Sequence, residues 1–182
     1  LYNNIVNKEN YNAILKGLKK YKLNCVLEGE EAIYVDENAE DDFLLSNLRK
    51  QNYPVEPYDL ENMKFNKMFI RYDDNKYIDS FWEDIKDIFD YIDHGKGTRE
   101  LVPIGHSKGS GIDFLVKYFN VDIEDTFAFG DSNNDIPMLE HVKNSIVMGN
   151  GNPELFEKAT FVTKHIDEDG IEHAMKHFNI IE

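Results

Sequence analysis

Apolar residues recur at helical spacing in three stretches of the chain. In chain order they are Tyr11, Ile14, Leu15 and Leu18, then Ile78, Phe81, Trp82, Ile85 and Phe89, and finally Ile112, Leu115, Val116 and Phe119. Each pattern predicts an amphipathic helix whose apolar face packs on a core. Ser107 stands just before the third stretch, where its hydroxyl can cap the first turn of that helix.

Short apolar runs between turn residues predict strands in the first part of the chain. These runs are "NCVLEG", "AIYV", "KFNKMFIRY" and "ELVPI". The acidic run "DENAEDD" predicts a turn and a helix start that leads into "FLLSNLRKQ", and the prolines of "YPVEPYD" predict a loop. The run "GKGTR" marks a further break in the chain.

From about residue 104 onward the pattern alternates between strand and helix. The predicted strands are "TFAFG", "SIVMG" and "FVT", and the helices that follow them are "DIPMLEHV", "PELFEKA" and "GIEHAMKHF". Strands separated by helices in this way indicate a parallel sheet with covered faces. We therefore predict an α/β fold of two units, a mixed one over residues 1–98 and a parallel one over residues 99–182.

Composition narrows the partners that this chain can have. Its 182 residues are enough to bury a core, and its formal net charge is −15. Such an acidic chain argues against nucleic acid and against an anionic membrane surface as partners. The single cysteine, Cys25, permits no internal disulfide, and no apolar run approaches the length of a membrane span. We therefore expect a cytoplasmic protein.

Two aspartates in "FAFGDSNNDIPML" are the first candidates for chemistry. Asp131 and Asp135 follow a predicted strand, and ligands bind beyond the carboxyl ends of strands in open parallel sheets. Like charges this close repel, so they require a cation, a proton or a structural reason. Mg²⁺ takes one or two protein carboxylates besides water and phosphate, which suits Asp131 as a ligand with Asp135 supporting it.

Two other interpretations of this pair of aspartates are open to test. One is an Asx-turn followed by a helix N-cap, with both carboxylates solvated. The other is a calcium EF-hand loop, because Asp131, Asn133 and Asp135 match its first three ligands. The EF-hand is excluded, because Ile136 stands where glycine is required and Val142 where glutamate closes the site.

Lys108 in "GHSKGSGI" is the second candidate. It follows a predicted strand and lies in the first turn of a predicted helix, so its ammonium group can reach the same sheet edge as the two aspartates. A phosphate ester beside a carboxylate nucleophile needs such a cation. The alternative is a solvated surface lysine. A Walker A loop is excluded, because Gly109 follows where serine or threonine belongs.

Taken in order, "HSKGSGI" and "GDSNND" resemble motifs of the haloacid dehalogenase-like (HAD) hydrolases. The resemblance is closest to the Cof-type members, which carry a large α/β cap of class IIB. "IPML", "IVMGNGNPELFEKATFVT" and "DEDGIEHAM" agree with the same pattern, so residues 98–182 carry most of it. It implies a partial Rossmann-like core, a parallel sheet with helices, plus a mixed α/β cap domain over residues 1–98.

The resemblance also implies roles for four residues. Lys108 would be the catalytic lysine that binds and stabilises the phosphoryl group, and Asn134 would contact the phosphate of the substrate. Asp131 would be the Mg²⁺ ligand, and Asp135 would be the carboxylate that supports catalysis beside it. The reaction implied is the hydrolysis of small phosphorylated metabolites through an aspartyl-phosphate.

The chain departs from the family pattern in one respect. The nucleophile of that family lies in an early "DxDGT" motif, and nothing upstream of Lys108 matches it. Asp167 and Asp169 in "HIDEDGI" form a D-x-D, but it lacks the threonine and does not follow an apolar strand. Because the chain begins with Leu1, we expect the nucleophile upstream, and we expect these 182 residues to be a cap plus the C-terminal half of a catalytic core.

Three further hypotheses follow from this departure. The chain could be a diverged or truncated module that binds a partner without catalysis, or the whole protein could be a phosphosugar mutase or transferase on the same scaffold. Separately, His173 and His177 are spaced i,i+4 on the last predicted helix. Without an acidic third ligand nearby in the sequence, we interpret them as an exposed helix face rather than a metal site.

Overall fold

The computed structural model of the chain describes residues 4–36 and 48–182. It divides into two compact units, Leu1–Ile104 and Gly105–Glu182. Most of the helix start predicted around "DENAEDD" falls on residues 37–47 and so lies outside the described residues. Across the described ranges, none of the helices combines the length and apolar character that a membrane crossing requires.

The first unit is built on a mixed sheet of six strands in the order β3-β2-β1-β4-β6-β5. The strands are β1 (Asn24–Glu28), β2 (Ile33–Val35), β3 (Val55–Pro57), β4 (Lys67–Arg71), β5 (Phe89–Gly95) and β6 (Thr98–Pro103). β2 and β3 run parallel, whereas the other neighbours in the sheet run antiparallel. Predicted strands coincide with β1, β2, β4 and β6.

Helices α1 (Tyr11–Tyr21) and α2 (Asn75–Ile85) pack on each other and contribute to the core of this unit. Their buried faces carry the residues of the helical pattern, among them Ile14 and Leu18 on α1 and Phe81 on α2. The two helices approach closely at Gly17, where a Cβ atom would lie 2.7 Å from the Phe81 ring. The periodicity of the sequence therefore predicted both helices and their core faces correctly.

The prediction that the second helix extends to Phe89 is wrong. α2 ends at Ile85, and Phe89 is the first residue of β5. Phe89 is fully buried, so its apolar character suits the core in either conformation. Its carbonyl oxygen accepts a hydrogen bond of 3.1 Å from the Trp82 indole, which ties the new strand to the helix before it.

The second unit holds a parallel sheet in the order β7-β8-β9, formed by β7 (Phe127–Gly130), β8 (Asn144–Val147) and β9 (Phe161–Val162). Its helices are α3 (Lys108–Phe119), α4 (Ile136–Leu139) and α5 (Gly170–His177). These strands confirm the predicted parallel sheet, and together the two units confirm the α/β fold class. The segment predicted as a helix at "PELFEKA" is a 3-10 helix instead, Pro153–Lys158.

Along the chain, the boundary between the two units falls between Ile104 and Gly105 rather than after residue 98, because β6 pairs with β4 and β5 in the first sheet. The roles of cap and half-core stay predictions. Ser107 caps α3 as predicted, and its side chain accepts a hydrogen bond from the backbone N–H of Ser110. The apolar face predicted for this helix is partly open, since Leu115 is 43% and Phe119 62% exposed.

One buried cation on β6 contacts α2, β5 and the residue that follows β4. Arg99 on β6 is 6% exposed, and its guanidinium donates to Asp79 on α2 at 2.7 Å and to Asp93 on β5 at 3.3 Å. The same group lies over the rings of Tyr91 and Tyr72, at 4.4 and 5.5 Å from the ring centres. Arg99 thus combines two charged hydrogen bonds with two cation–π contacts.

We expect Arg99→Met to lower the free energy of unfolding of the first unit by roughly 2–3 kcal/mol, because it removes these contacts from a buried position. Lys86→Met is the matched control, since Lys86 makes an exposed ion pair with Glu83 at 2.8 Å. That change should alter the free energy of unfolding by less than about 0.5 kcal/mol. Chemical denaturation of both variants measures the difference, and equal effects would contradict the role given to Arg99.

Candidate active site

The candidate site begins where β7 ends. Gly130 is the last residue of β7, and a Cβ atom on it would lie 2.8 Å from the Cβ of Asp135 and 3.0 Å from Leu139. Only glycine leaves room for Asp135 to fold back against the strand end. The 3-10 turn Asn133–Asp135 and the short helix α4 then carry the chain away from the sheet.

Asp135 is 4% exposed, and both oxygens of its carboxylate accept hydrogen bonds. Its Oδ2 accepts hydrogen bonds from the backbone N–H groups of Asp131 at 2.9 Å and Ser132 at 3.1 Å, and its Oδ1 accepts one from the Lys108 ammonium. Burial raises the pKa of the Asp135 carboxyl. The hydrogen bonds from Lys108, Asp131 and Ser132 outweigh burial and hold that pKa below the usual value for aspartate.

Lys108 is the first residue of α3, directly after the capping residue Ser107. Its side chain is about half exposed, and its ammonium lies on Asp135, 27 residues further along the chain. The structure thus brings Lys108 to the edge of the sheet that the sequence predicted. Because about half of this side chain is exposed, an anion can approach it.

Asp131 differs from Asp135 because its side chain is exposed. Within the described residues of its unit, its carboxylate makes no hydrogen bond or ion pair, whereas its backbone is held on both sides. Its N–H donates to Asp135, and its carbonyl oxygen accepts 2.8 Å from the N–H of Asn152. The Asn152 amide also donates to Asn133 Oδ1 at 2.8 Å, so the loop after β8 fixes the loop after β7.

These contacts exclude one of the interpretations of the aspartates, whereas the interpretation as a Mg²⁺ site stays a prediction. The one in which both are solvated is wrong, because Asp135 is buried and paired. Asn134, the fourth predicted member of the site, is half-buried, and its Oδ1 accepts a hydrogen bond of 2.5 Å from the Ser132 hydroxyl. Asn152 and Ser132 were not among the predicted site residues, although an Asn-Pro pair is a recognisable capping signal, and Asn152 caps the 3-10 helix Pro153–Lys158.

The described residues contain no cluster of three or more His, Cys, Asp or Glu side chains that could hold a metal on its own. Asp131 offers one free carboxylate at a strand end. Such a single hard oxygen donor fits Mg²⁺, which usually keeps several waters and shares a substrate phosphate, and does not fit a structural zinc site. The residues present therefore fit Mg²⁺ as one part of its coordination.

The other sequence candidates lie elsewhere in the second unit. Asp167 and Asp169 flank the start of α5, and the backbone of Asp169 has a positive φ of 54°. His173 Nδ1 lies 3.0 Å from Thr163 Oγ1, and the His177 ring stacks on Phe161 with 4.0 Å between ring centres. The interpretation of both histidines as an exposed face is incomplete, because they also pack against β9 and the loop after it.

The structure is thus an α/β protein in which a lysine and a buried aspartate meet at the carboxyl end of a parallel strand, with an exposed aspartate beside them. The haloacid dehalogenase-like hydrolase family matches residues 1–175. The chain belongs to this family. The resemblance predicted from the sequence motifs is thereby confirmed.

Two curated proteins of Bacillus subtilis are similar to part of the chain. The chain is 43% identical over 94 residues to YkrA of Bacillus subtilis, a match that spans 52% of this chain and 37% of that protein. It is 40% identical over 77 residues to a 5-amino-6-(5-phospho-D-ribitylamino)uracil phosphatase of the same species, over 42% of this chain and 27% of the relative. The chain therefore spans about a third of the length of these curated relatives.

A solved HAD subclass IIB sugar phosphatase is similar in structure, with a TM-score of 0.81 and 25% identity. The match covers 99% of this chain and 70% of that one. A protein of Geobacillus kaustophilus shares the same fold, with a TM-score of 0.82 and 24% identity, over 100% of this chain and 71% of its own.

We expect Asp135→Asn to destabilise the second unit, because it removes the charge that Lys108 and two backbone N–H groups stabilise. A carboxylate with a lowered pKa contributes stability above its unfolded-state value, about 4, and loses that contribution as the pH falls through the folded value. The difference in free energy of unfolding from the wild type should be on the order of 1–3 kcal/mol at neutral pH. It should shrink below about pH 4.

Denaturation curves between neutral and acidic pH measure this difference. Asp125→Asn is the control, because Asp125 is an exposed residue in the turn before β7 and its charge is solvated. Its effect should be small at every pH. A pH-independent loss of stability in Asp135→Asn would show that the charge of Asp135 is unimportant to the fold.

Proposed function

We propose that this chain is part of a Mg²⁺-dependent phosphatase that hydrolyses small phosphorylated metabolites, sugar phosphates or similar compounds, in the cytoplasm. The observation that carries the proposal is the group formed by Lys108, Asp135 and Asp131 at the end of β7. It combines an accessible cation, a buried carboxylate that orients the cation, and a free carboxylate beside them. A phosphoryl group needs positive charge around its oxygens, and this arrangement can supply it.

In this proposal each residue has a separate task. Lys108 binds the phosphoryl group and offsets the negative charge that grows on it during the reaction. Asp135 keeps the ammonium in place and ties it to the backbone of the Asp131 loop. Asn134 contacts the phosphate through its amide. Mg²⁺, when bound at Asp131, adds positive charge at the phosphate oxygens.

The proposed route passes through an aspartyl-phosphate, which requires a carboxylate nucleophile. Neither aspartate of the site is suited to that task. Asp135 is buried and accepts hydrogen bonds from Lys108, Asp131 and Ser132, and Asp131 is the proposed metal ligand. We therefore propose that the nucleophile lies in sequence upstream of residue 1. The 70% coverage of the solved sugar phosphatase supports this, because that enzyme has chain beyond the matched part.

We further propose the Cof-type arrangement, in which the first unit is a class IIB cap that selects the substrate and the second is the C-terminal half of the core. The similarity to a subclass IIB sugar phosphatase over 99% of this chain supports this assignment. Partners would then be small phosphorylated metabolites, without nucleic acid and without a membrane. A binding module without catalysis, and a mutase or transferase with an acceptor other than water, remain as outcomes for the experiments below.

We expect Asp131→Asn, in a protein restored with its upstream segment, to weaken Mg²⁺ binding and abolish turnover, because an amide is a poorer ligand than a carboxylate. Lys108→Ala should lower the rate by roughly 10²–10³, since an oriented charge is removed from a charged transition state. Calorimetric Mg²⁺ titration and phosphate release from a generic phosphoester measure the two effects. Near-normal activity in either variant would remove that residue from the site.

We expect residues 1–182 alone to release no phosphate from a generic phosphoester, with or without Mg²⁺, because the proposed nucleophile is outside this chain. The same assay on the protein restored with its upstream segment should show Mg²⁺-dependent release. Turnover by the short chain that disappears in Asp131→Ala would show that the nucleophile is within these residues. Phosphate transfer to a sugar instead of water would favour a mutase or transferase, and inactivity of both proteins would favour a binding module.

A further inference from the structure

The helix that carries Lys108 lies close against the start of α4. Gly109, the second residue of α3, is buried. A Cβ atom built on it would lie 2.6 Å from the carbonyl oxygen of Pro137 and 3.2 Å from its carbonyl carbon. Contacts below 3.0 Å are essentially absent for real Cβ atoms, so no residue but glycine fits here without movement.

This close approach lies next to the contact between Lys108 and Asp135. Gly109 follows Lys108 on α3, and Pro137 stands two residues after Asp135 at the start of α4. The two contacts thus join the same two helix ends, one through side chains and one through backbone. Any separation of α3 from α4 at Gly109 changes the distance that the Lys108 side chain has to span.

The residues of α4 at this contact cannot move easily, because α4 is packed against the end of β7. Leu139 is 2% exposed, and it packs with Asp135 against Gly130 at the end of β7. The position of Pro137 is therefore fixed from behind by the sheet. A methyl group on residue 109 would have to be accommodated mainly by α3, whose outer face is partly exposed at Leu115 and Phe119.

We propose that Gly109 is a positioning residue, which holds the start of α3 against α4 so that the Lys108 ammonium stays on Asp135 and within reach of the phosphoryl group. Its effect on catalysis rests on the proposed function, whereas its effect on the Lys108 contact does not. Ordinary van der Waals contact begins at 3.4 Å, so a Cβ at 2.6 Å requires a separation of 3.4 − 2.6 = 0.8 Å. A misplacement of about 1 Å can cost about 10² in rate.

The same helix offers a matched control. Gly111 lies two residues further along α3, and a Cβ atom there would meet no atom within 4 Å. Gly109→Ala and Gly111→Ala add the same methyl group to the same helix. Both replace glycine with a better helix former, a change that gains roughly 1 kcal/mol in a helix interior. Any difference between the two variants therefore reports the contact with Pro137.

The first measurement is the side-chain ammonium signal of Lys108 in the ¹⁵N-labelled 182-residue chain, assigned by its loss in Lys108→Arg. Asp135→Asn gives the signal of a Lys108 without its carboxylate partner. We expect the signal in Gly109→Ala to move to, or most of the way to, the Asp135→Asn value, and Gly111→Ala to match the wild type. A wild-type Lys108 signal in folded Gly109→Ala would overturn the proposal.

The second measurement is activity in the protein restored with its upstream segment. Gly109→Ala should lower kcat by about 10–10², with Gly111→Ala near the wild type. If that protein has no phosphatase activity, the proposed function fails while the ammonium signal still tests Gly109. If it is active and kcat is unchanged in Gly109→Ala, the positioning role fails alone.

Folding is tested separately by making Gly109→Ala in the Gly111→Ala background. There, the helix propensity added by Gly111→Ala offsets part of any loss in the free energy of unfolding. The ammonium signal is then compared with that of Gly111→Ala alone. If the double variant does not fold either, Gly109 is needed for the fold itself rather than for placing Lys108. That outcome also overturns the proposal.

Discussion

The buried carboxylate of Asp135 is the contact on which the site depends. It accepts hydrogen bonds from α3 through Lys108 and from the loop after β7 through the N–H groups of Asp131 and Ser132. Lys108 and Asp135 are 27 residues apart, so local structure alone would not bring them together. A buried charge is stable only when it is paired and hydrogen-bonded, so the loop, the helix and the lysine are fixed by one requirement.

Two glycines make this arrangement possible, at opposite sides of the same short helix. Gly130 lets Asp135 fold back on the strand end, and Gly109 lets α3 approach α4. Asp131 is then left at the surface, with its backbone held and its carboxylate free. The rigid parts of the site are thus made of backbone contacts and buried groups, whereas the groups available to a ligand lie on the exposed side.

Periodicity was sufficient for much of the fold, and motif order indicated the residues of the candidate site. The 3.6-residue spacing identified α1 and α2, and the alternation after residue 104 identified the parallel sheet. Phe89 misled the helix prediction because a buried strand residue can fall by chance at helical spacing. The burial of Asp135, the contact made by Asn152 and the approach at Gly109 depend on residues distant in sequence, so a local pattern cannot reveal them.

The partly exposed face of α3 bears on the heat capacity of the second unit. Leu115, Tyr118 and Phe119 are at least 43% exposed, and the buried cluster of this unit centres on Leu139, Val147 and Leu155, far smaller than the core of the first unit. Heat capacity increases on unfolding in proportion to the apolar surface newly exposed to water. Apolar side chains already in water add little to that increase. We therefore expect the stability of the second unit to vary less steeply with temperature than that of the first.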